Sequence, residues 1–241
     1  MRISFLFLLC FFAAVISVNA EEPIDLNEKI IKESYSLGVS IGRTFKNQSM
    51  ELDYEALFKG IKDARSGGDI LLSDQEITDT LKNIQRELTE KREEEKREVA
   101  ETNKRKGEEF LKQNAGKEGV VTLPSGLQYK VLVEGSGETP EISDTVTVHY
   151  RGTLIDGTEF DSSYTRGEPA VFNVNGVIPG FSEALQLMKT GSKWQIYIPS
   201  HLAYGERGAG RNIGPNEALI FDLELLSFTK GTKFHTDEMQ P

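Results

Sequence analysis

Cysteine is all but missing from this 241-residue chain: Cys10 is the only one, and it lies in an apolar run near the N-terminus. A chain without other thiols has no disulfide, no cysteine nucleophile and no thiolate metal site. Histidine is nearly as scarce. His149, His201 and His235 are scattered, without the HExxH-like spacing that brings two rings to one metal, so no metal site is expected. Positive charge is in deficit as well: 28 Lys and Arg stand against 38 Asp and Glu, a net charge of −10. That argues against a nucleic-acid partner, because such binding needs a basic surface to displace counterions. No Gly-x-Ser-x-Gly elbow occurs. The glycine-rich stretch 205–214 lacks Gly-x-Gly-x-x-Gly spacing and has no helical pattern after it, so it is not read as a phosphate loop, and no cofactor is expected.

The N-terminus reads as an export signal. Arg2 precedes an apolar run over residues 3–18, broken only by Ser4, Cys10 and Ser17, and Val18-Asn19-Ala20 leads into Glu21-Glu22. A positive start, an apolar middle and a small-residue cleavage site define a secretory signal peptide, here residues 1–20. As a retained anchor the run is marginal for a hydrocarbon core of about 30 Å. Phe7-Leu8-Leu9 ahead of Cys10 lacks the small residues of a lipoprotein cleavage site.

Beyond the leader the chain divides into zones. Residues 21–72 read as two short helices, with Ile30, Ile31, Leu37, Val39, Ile41 and Phe45 at helical spacing, then Leu52, Leu57, Phe58 and Ile61 before Ser66-Gly67-Gly68. Two such helices bury too little surface to stand alone, so a partner surface is expected. Residues 73–115 read as one long helix. Ser73-Asp74-Gln75-Glu76 is a capping box, and Ile77, Leu81, Ile84 and Leu88 share one face. Past Leu88 the apolar stripe fades, and 18 of residues 86–112 are charged with signs mixed. That segment reads as a solvated spacer, with Gly107 as a bend point, since glycine costs about 1 kcal/mol in a helix interior. Residues 117–230 change character: Gly and Pro punctuate alternating runs at 127–133, 145–153, 170–174, 193–199 and 218–226, with one helical stretch at 181–188. Asp156-Gly157 is a hairpin signal. Strands with a single helix suggest an α+β domain with an antiparallel sheet. Residues 231–241 are a tail.

What chemistry remains is aromatic. Tyr150, Phe160, Phe172, Phe181, Tyr204 and Phe221 fall on or beside the strands. From pattern alone they are core residues. Asp156 and Asp161 also invite a carboxylate-pair reading for glycoside hydrolysis, although Asp156 suits the hairpin turn better.

Five segments in order sharpen this reading: Val148-His149-Tyr150-Arg151-Gly152, 156–163, 176–181, Leu202-Ala203-Tyr204-Gly205 and 219–226. Together they resemble the FKBP-type peptidyl-prolyl isomerase domain. Upstream, Ser34-Tyr35-Ser36-Leu37-Gly38, Phe45-Lys46-Asn47-Gln48 and residues 123–129 resemble the macrophage infectivity potentiator (Mip) proteins of Gram-negative bacteria. The resemblance implies an exported homodimer, pairing through residues 24–88 of an all-α module, with a long helix carrying an FKBP-type sheet wrapped on a short helix. It places the protein in the periplasm, the outer membrane or at the cell surface, with proline-containing polypeptides as clients and a macrolide as a possible ligand.

Carried over by position, the catalytic residues are Tyr150, Phe160, Asp161, Ile178, Tyr204 and Phe221. The substrate-binding residues are Arg166, Phe172, Val177, Phe181 and Ile213. The family's usual floor tryptophan is Phe181 here, and a wall aromatic two residues before Phe172 is Ala170, which implies a shallower, more open cup. The reaction implied is rotation about X-Pro bonds during the folding of exported proteins, with chaperone activity beside it. The rival class is an exported chaperone or adhesin that binds through the same cup without turnover.

Overall fold

The computed structural model describes residues 24–231. The leader over residues 1–20 and nearly all of the 231–241 tail lie outside them, as do Cys10 and His235. Contact density divides the chain into two compact units, the boundary falling after Thr80.

The first unit is helical. Helix α1 spans Lys29–Asn47 and α2 spans Tyr54–Ser66. The Asp53 carboxylate accepts the Ala56 amide at 2.9 Å to cap α2, and Gly67 ends it in a left-handed turn, φ +66°. Neither helix has a buried residue. Leu37 is 65% exposed and Phe58 57%, and an apolar groove of about 440 Å³ is lined by Ala64, Ile70, Leu71, Leu72 and Ile77.

Helix α3, Asp74–Asn114, starts on the capping box as the sequence indicates. The Glu76 carboxylate accepts the Ser73 amide at 2.8 Å, and the Ser73 hydroxyl accepts the Glu76 amide at 3.3 Å. The backbone bond from Ser73 holds the Glu76 carboxyl below its usual range.

The second unit is an antiparallel sheet. Its strands are β1 Val120–Thr122, β2 Gln128–Val133, β3 Thr145–Leu154, β4 Glu159–Ser162, β5 Ala170–Asn173, β6 Lys193–Ile198 and β7 Leu219–Thr229. The order is β1-β2-β6-β7-β3-β4, and β5 shares the outer edge of β3 with β4. The β3–β4 turn is the expected one: Asp156 accepts the Thr158 amide at 2.9 Å, and Gly157 sits at φ +89°. Every second residue of β3 and β7 points inward, burying Val146, Val148 and Tyr150 against Leu219, Phe221, Leu223 and Leu225. Helix α5, Pro179–Leu185, lies on this face and buries Phe181, Ala184 and Leu185, with Met188 just beyond. Between β4 and β5 sits a single helical turn, α4, Ser163–Arg166. The sole tryptophan, Trp194 of β6, stacks on Tyr129 of β2 at 4.3 Å.

The last turns of α3 belong to this unit, which corrects two expectations. The segment does not stand free as a spacer over its whole length, and Gly107 does not interrupt it, because α3 runs through it unbroken. Gly107 is buried: a Cβ there would come within 3.1 Å of the Ala218 Cβ, so glycine is what lets the helix approach the start of β7. Further along, Phe110 meets Tyr197 at 6.0 Å. Fully buried Asn114 donates to the Gln128 side chain at 2.9 Å, and Gln128 in turn donates to the Leu111 carbonyl at 2.8 Å. These two bonds tie the end of α3 to β2, and breaking either would leave a further polar group buried without a partner.

Candidate functional site

At one end of the inner face, between α5 and the sheet, lies a cavity of about 450 Å³. Its floor is Phe181, brought there by the first turn of α5. Pro179 occupies the first helical position and holds Ile178 extended, φ −59° and ψ 148°, so the chain turns sharply at the cavity edge. Phe181 is met nearly edge-on by Tyr150 (6.1 Å), Phe172 (6.3 Å) and Phe221 (5.2 Å). Phe160 meets Phe221 the same way at 5.5 Å. Edge-to-face rings add attraction beyond their buried area, so five aromatics brace one another and leave their remaining faces to the cavity. Gly152 makes this possible. A Cβ at that position would come within 2.7 Å of both the Phe160 and Phe221 rings, so β3 must carry no side chain there.

The polar part of the rim is one network. Asp161 of β4 accepts hydrogen bonds from the Tyr150 hydroxyl and from Arg166 of α4, and Arg166 also donates to the Tyr150 oxygen at 2.9 Å. The guanidinium lies 5.4 Å from the Tyr150 ring centroid. Partial burial pushes the Asp161 carboxyl up, but the bonds from Tyr150 and Arg166 outweigh it and leave it below the usual carboxylate range. Burial, reinforced by the bond to Asp161, raises the Tyr150 hydroxyl. At neutral pH the carboxylate is therefore ionised and the phenol protonated, each completing the other's hydrogen bonding.

The cavity wall brings together Tyr150, Phe160, Asp161, Phe172, Val177, Ile178, Phe181, Tyr204 and Phe221. Arg166 stands behind Asp161. Ile213 is not in the lining: it pairs with Ala209 in an isolated bridge and packs against the core cluster from its side. Gly176 is in the lining and carries no side-chain signal that sequence patterning could detect. Two donors on lining residues have no partner among the described residues, the Ile178 amide and the hydroxyl of Tyr204, which is 40% exposed. Asp156 is spent in its turn, so the carboxylate-pair reading loses one member.

An antiparallel sheet wrapped on a short helix, with an aromatic cup at one end, is the architecture of an FKBP-type isomerase domain. The family model described as FKBP-type peptidyl-prolyl cis-trans isomerase matches residues 136–226, and the model for the domain amino-terminal to it matches residues 31–131. The outer membrane protein MIP of Legionella longbeachae is 50% identical over 214 residues, which is 89% of this chain and 92% of that one. The peptidyl-prolyl cis-trans isomerase Mip of Coxiella burnetii is 43% identical over 90% of this chain and 94% of that one. The crystal structure of FkpA from Escherichia coli superposes with a TM-score of 0.69 at 42% identity, covering 84% of this chain and 97% of that one. The chain belongs to the FKBP-type peptidyl-prolyl cis-trans isomerases, and its relatives among them include proteins named Mip and FkpA.

Proposed function

We propose that the protein accelerates cis–trans isomerisation of X-Pro bonds in exported polypeptides as they fold, and that the cup described above is where it does so. The observation that carries this reading is the aromatic cavity with unpartnered donors at its edge. Amide resonance sets a rotation barrier of about 18–20 kcal/mol, while cis and trans X-Pro differ by only about 0.5–1 kcal/mol. A catalyst needs no nucleophile for this. It must bind the twisted amide better than the planar one. The planar amide is the more dipolar, so an apolar cup costs it more solvation. Phe160, Phe172, Phe181 and Phe221 grip the proline ring. The Ile178 amide and the Tyr204 hydroxyl hold the twisted form, and Asp161, fixed by Tyr150 and Arg166, places its charge at the rim.

The exposed apolar faces of α1 and α2 support a second proposal, that two copies pair through residues 24–88. The leader read over residues 1–20 and the name of the Legionella longbeachae relative support a third proposal, export to the periplasm or outer membrane. None of the described helices is long and apolar enough to cross a membrane. Residues 21–72 then form the pairing module together with the first turns of the connecting helix 73–115, and 117–230 the isomerase domain. Chaperone activity beside isomerisation, and a macrolide as a ligand of the cup, are part of the same proposal.

The test is turnover of an X-Pro peptide by residues 21–241. Catalysed exchange supports isomerisation. A folded protein that binds the peptide without accelerating it supports the second reading, a pure binding module, which Phe181 and Ala170 favour by leaving the floor and one wall smaller.

A further inference from the structure

The 20-residue stretch between β6 and β7 carries Tyr204, yet its regular structure is limited to two single 3-10 turns, Ser200–Leu202 and Gly205–Arg207, and the Ala209–Ile213 bridge. Something must fix where Tyr204 stands, since its hydroxyl has no partner among the described residues. A set of bonds runs from α3 to Gly205, the residue after Tyr204. The Asn103 side chain on α3 donates to the Pro215 carbonyl at 2.9 Å. The Asn216 side chain donates back to the Ala100 carbonyl of α3 at 3.4 Å. The Asn216 backbone amide donates to the carbonyl of Gly205, the residue after Tyr204, at 2.8 Å. Asn216 itself is held at φ +56°, in the left-handed region that asparagine tolerates better than most residues. Two residues on, Ala218 sits against Gly107. Beside this contact a cleft of about 400 Å³ opens between α3 and the loop, bordered by Lys104, Leu111, His201, Gly205, Glu206 and Asn216. The hydrogen bonds between loop and helix thus fall at Pro215 and Asn216, and Asn216 bonds in turn to the residue next to Tyr204.

We infer that the last turns of α3 are a strut for the cup, and that Asn103 is a positioning residue acting through Pro215, Asn216 and Gly205 on Tyr204. The inference rests on the proposed catalytic reading for its kinetic consequence but not for its structural one. On this view the helix from residue 100 onward is part of the isomerase domain, and Asn103, more than 40 residues before the first aromatic of the cup, tunes it.

The experiment uses residues 21–241 with fluorotyrosine incorporated, the Tyr204 fluorine resonance being assigned by its loss in Tyr204→Phe. Asn103→Ala, and Asn103→Asp, which keeps the shape but removes the donor, should both shift or broaden that resonance. Each should lower kcat/KM for an X-Pro peptide about threefold to tenfold, the order of one lost hydrogen bond. In the Tyr204→Phe background the same changes should cost little, because what they position is already gone. An unmoved Tyr204 resonance, or a loss that adds in full to that of Tyr204→Phe, overturns the inference and leaves Asn103 a merely stabilising contact. If Tyr204→Phe alone costs nothing, the catalytic role of Tyr204 fails, and the resonance still decides whether Asn103 positions it.

Discussion

The two units solve the burial problem in opposite ways. From residue 81 on, β3, β6, β7 and α5 share one core in which Val146, Val148, Leu185, Ile196, Leu223 and Leu225 are wholly shielded from water. Up to residue 80, helices of comparable apolar content bury nothing, and Ile30, Leu37, Tyr54, Phe58 and Leu71 all remain exposed. The lesson is that a sheet closes on itself, because alternate residues of many strands converge on one side, whereas two amphipathic helices present stripes that only another surface can cover. The same substitution should therefore have different consequences in the two halves.

The largest difference is expected for leucine truncation. Leu223→Ala should cost the sheet unit about 2–5 kcal/mol, read as a lower denaturation midpoint that does not depend on protein concentration. Leu37→Ala should leave that midpoint alone, within about 0.5 kcal/mol. It should instead weaken self-association, seen by light scattering across a dilution series. A mature chain that stays monomeric at micromolar concentration would remove the reason for calling α1 and α2 a pairing surface. Next comes Asp161→Ala, which deletes an acceptor shared by Tyr150 and Arg166. Bonds to charged groups are worth about 1.5–3 kcal/mol, so kcat/KM for X-Pro peptides should fall roughly 10- to 100-fold with the fold intact by circular dichroism. Unchanged kcat/KM in that folded variant would sink the assignment of the cup.

A smaller effect is expected at the floor. Phe181→Trp adds volume where three rings already meet Phe181 edge-on, so stability should drop by about 1–3 kcal/mol. The larger ring should nevertheless tighten macrolide binding in calorimetry. No gain in affinity by a folded variant would mean that Phe181 is not the floor position. The smallest effect is the pH response of the rim. Asp161 has a folded pKa below the roughly 3.9 of an unfolded aspartate, so its contribution is complete above that value and is lost as pH falls through the lower folded one. Activity should be flat from neutrality to about pH 5, with an acid limb below about pH 4 that Asp161→Asn abolishes. An acid limb unchanged in that variant would assign it to other carboxylates, such as Glu159, which its bond to Arg151 also holds low.

Much of this was legible in advance because the signals were local. A capping box needs only residues 73–76, the β3–β4 turn only residues 155–158, and the long strands announce themselves by alternation. Strands β1 and β4, of three and four residues, are too short to alternate visibly and exist through their pairing with β2 and β3. The cup residues could be grouped through family motifs, although patterning alone would have called each of them core, and their burial shows why: Phe181 and Phe221 are about 5% exposed or less. What failed was long-range. Gly107 looked like a weak point in a helix because Ala218, its reason for being glycine, lies 111 residues away in sequence. Asn103 carries no local signal at all, since its partner Pro215 lies 112 residues away. A domain cut at residue 117, which the zoning of the sequence invites, would strip Gln128 and Tyr197 of Asn114, Leu111 and Phe110; a cut placed before residue 100 keeps them.

The stacked pair of Trp194 and Tyr129 makes the molecule optically one-sided. The only indole of the chain is packed in the sheet unit, 7% exposed, so its emission reports the loss of that core and is blind to α1 and α2. The far-ultraviolet helix signal, by contrast, is weighted towards α1, α2 and the long α3. If dilution separates two copies before the sheet melts, the two spectra will part company, and the gap between their midpoints measures how much of the helical half depends on its partner.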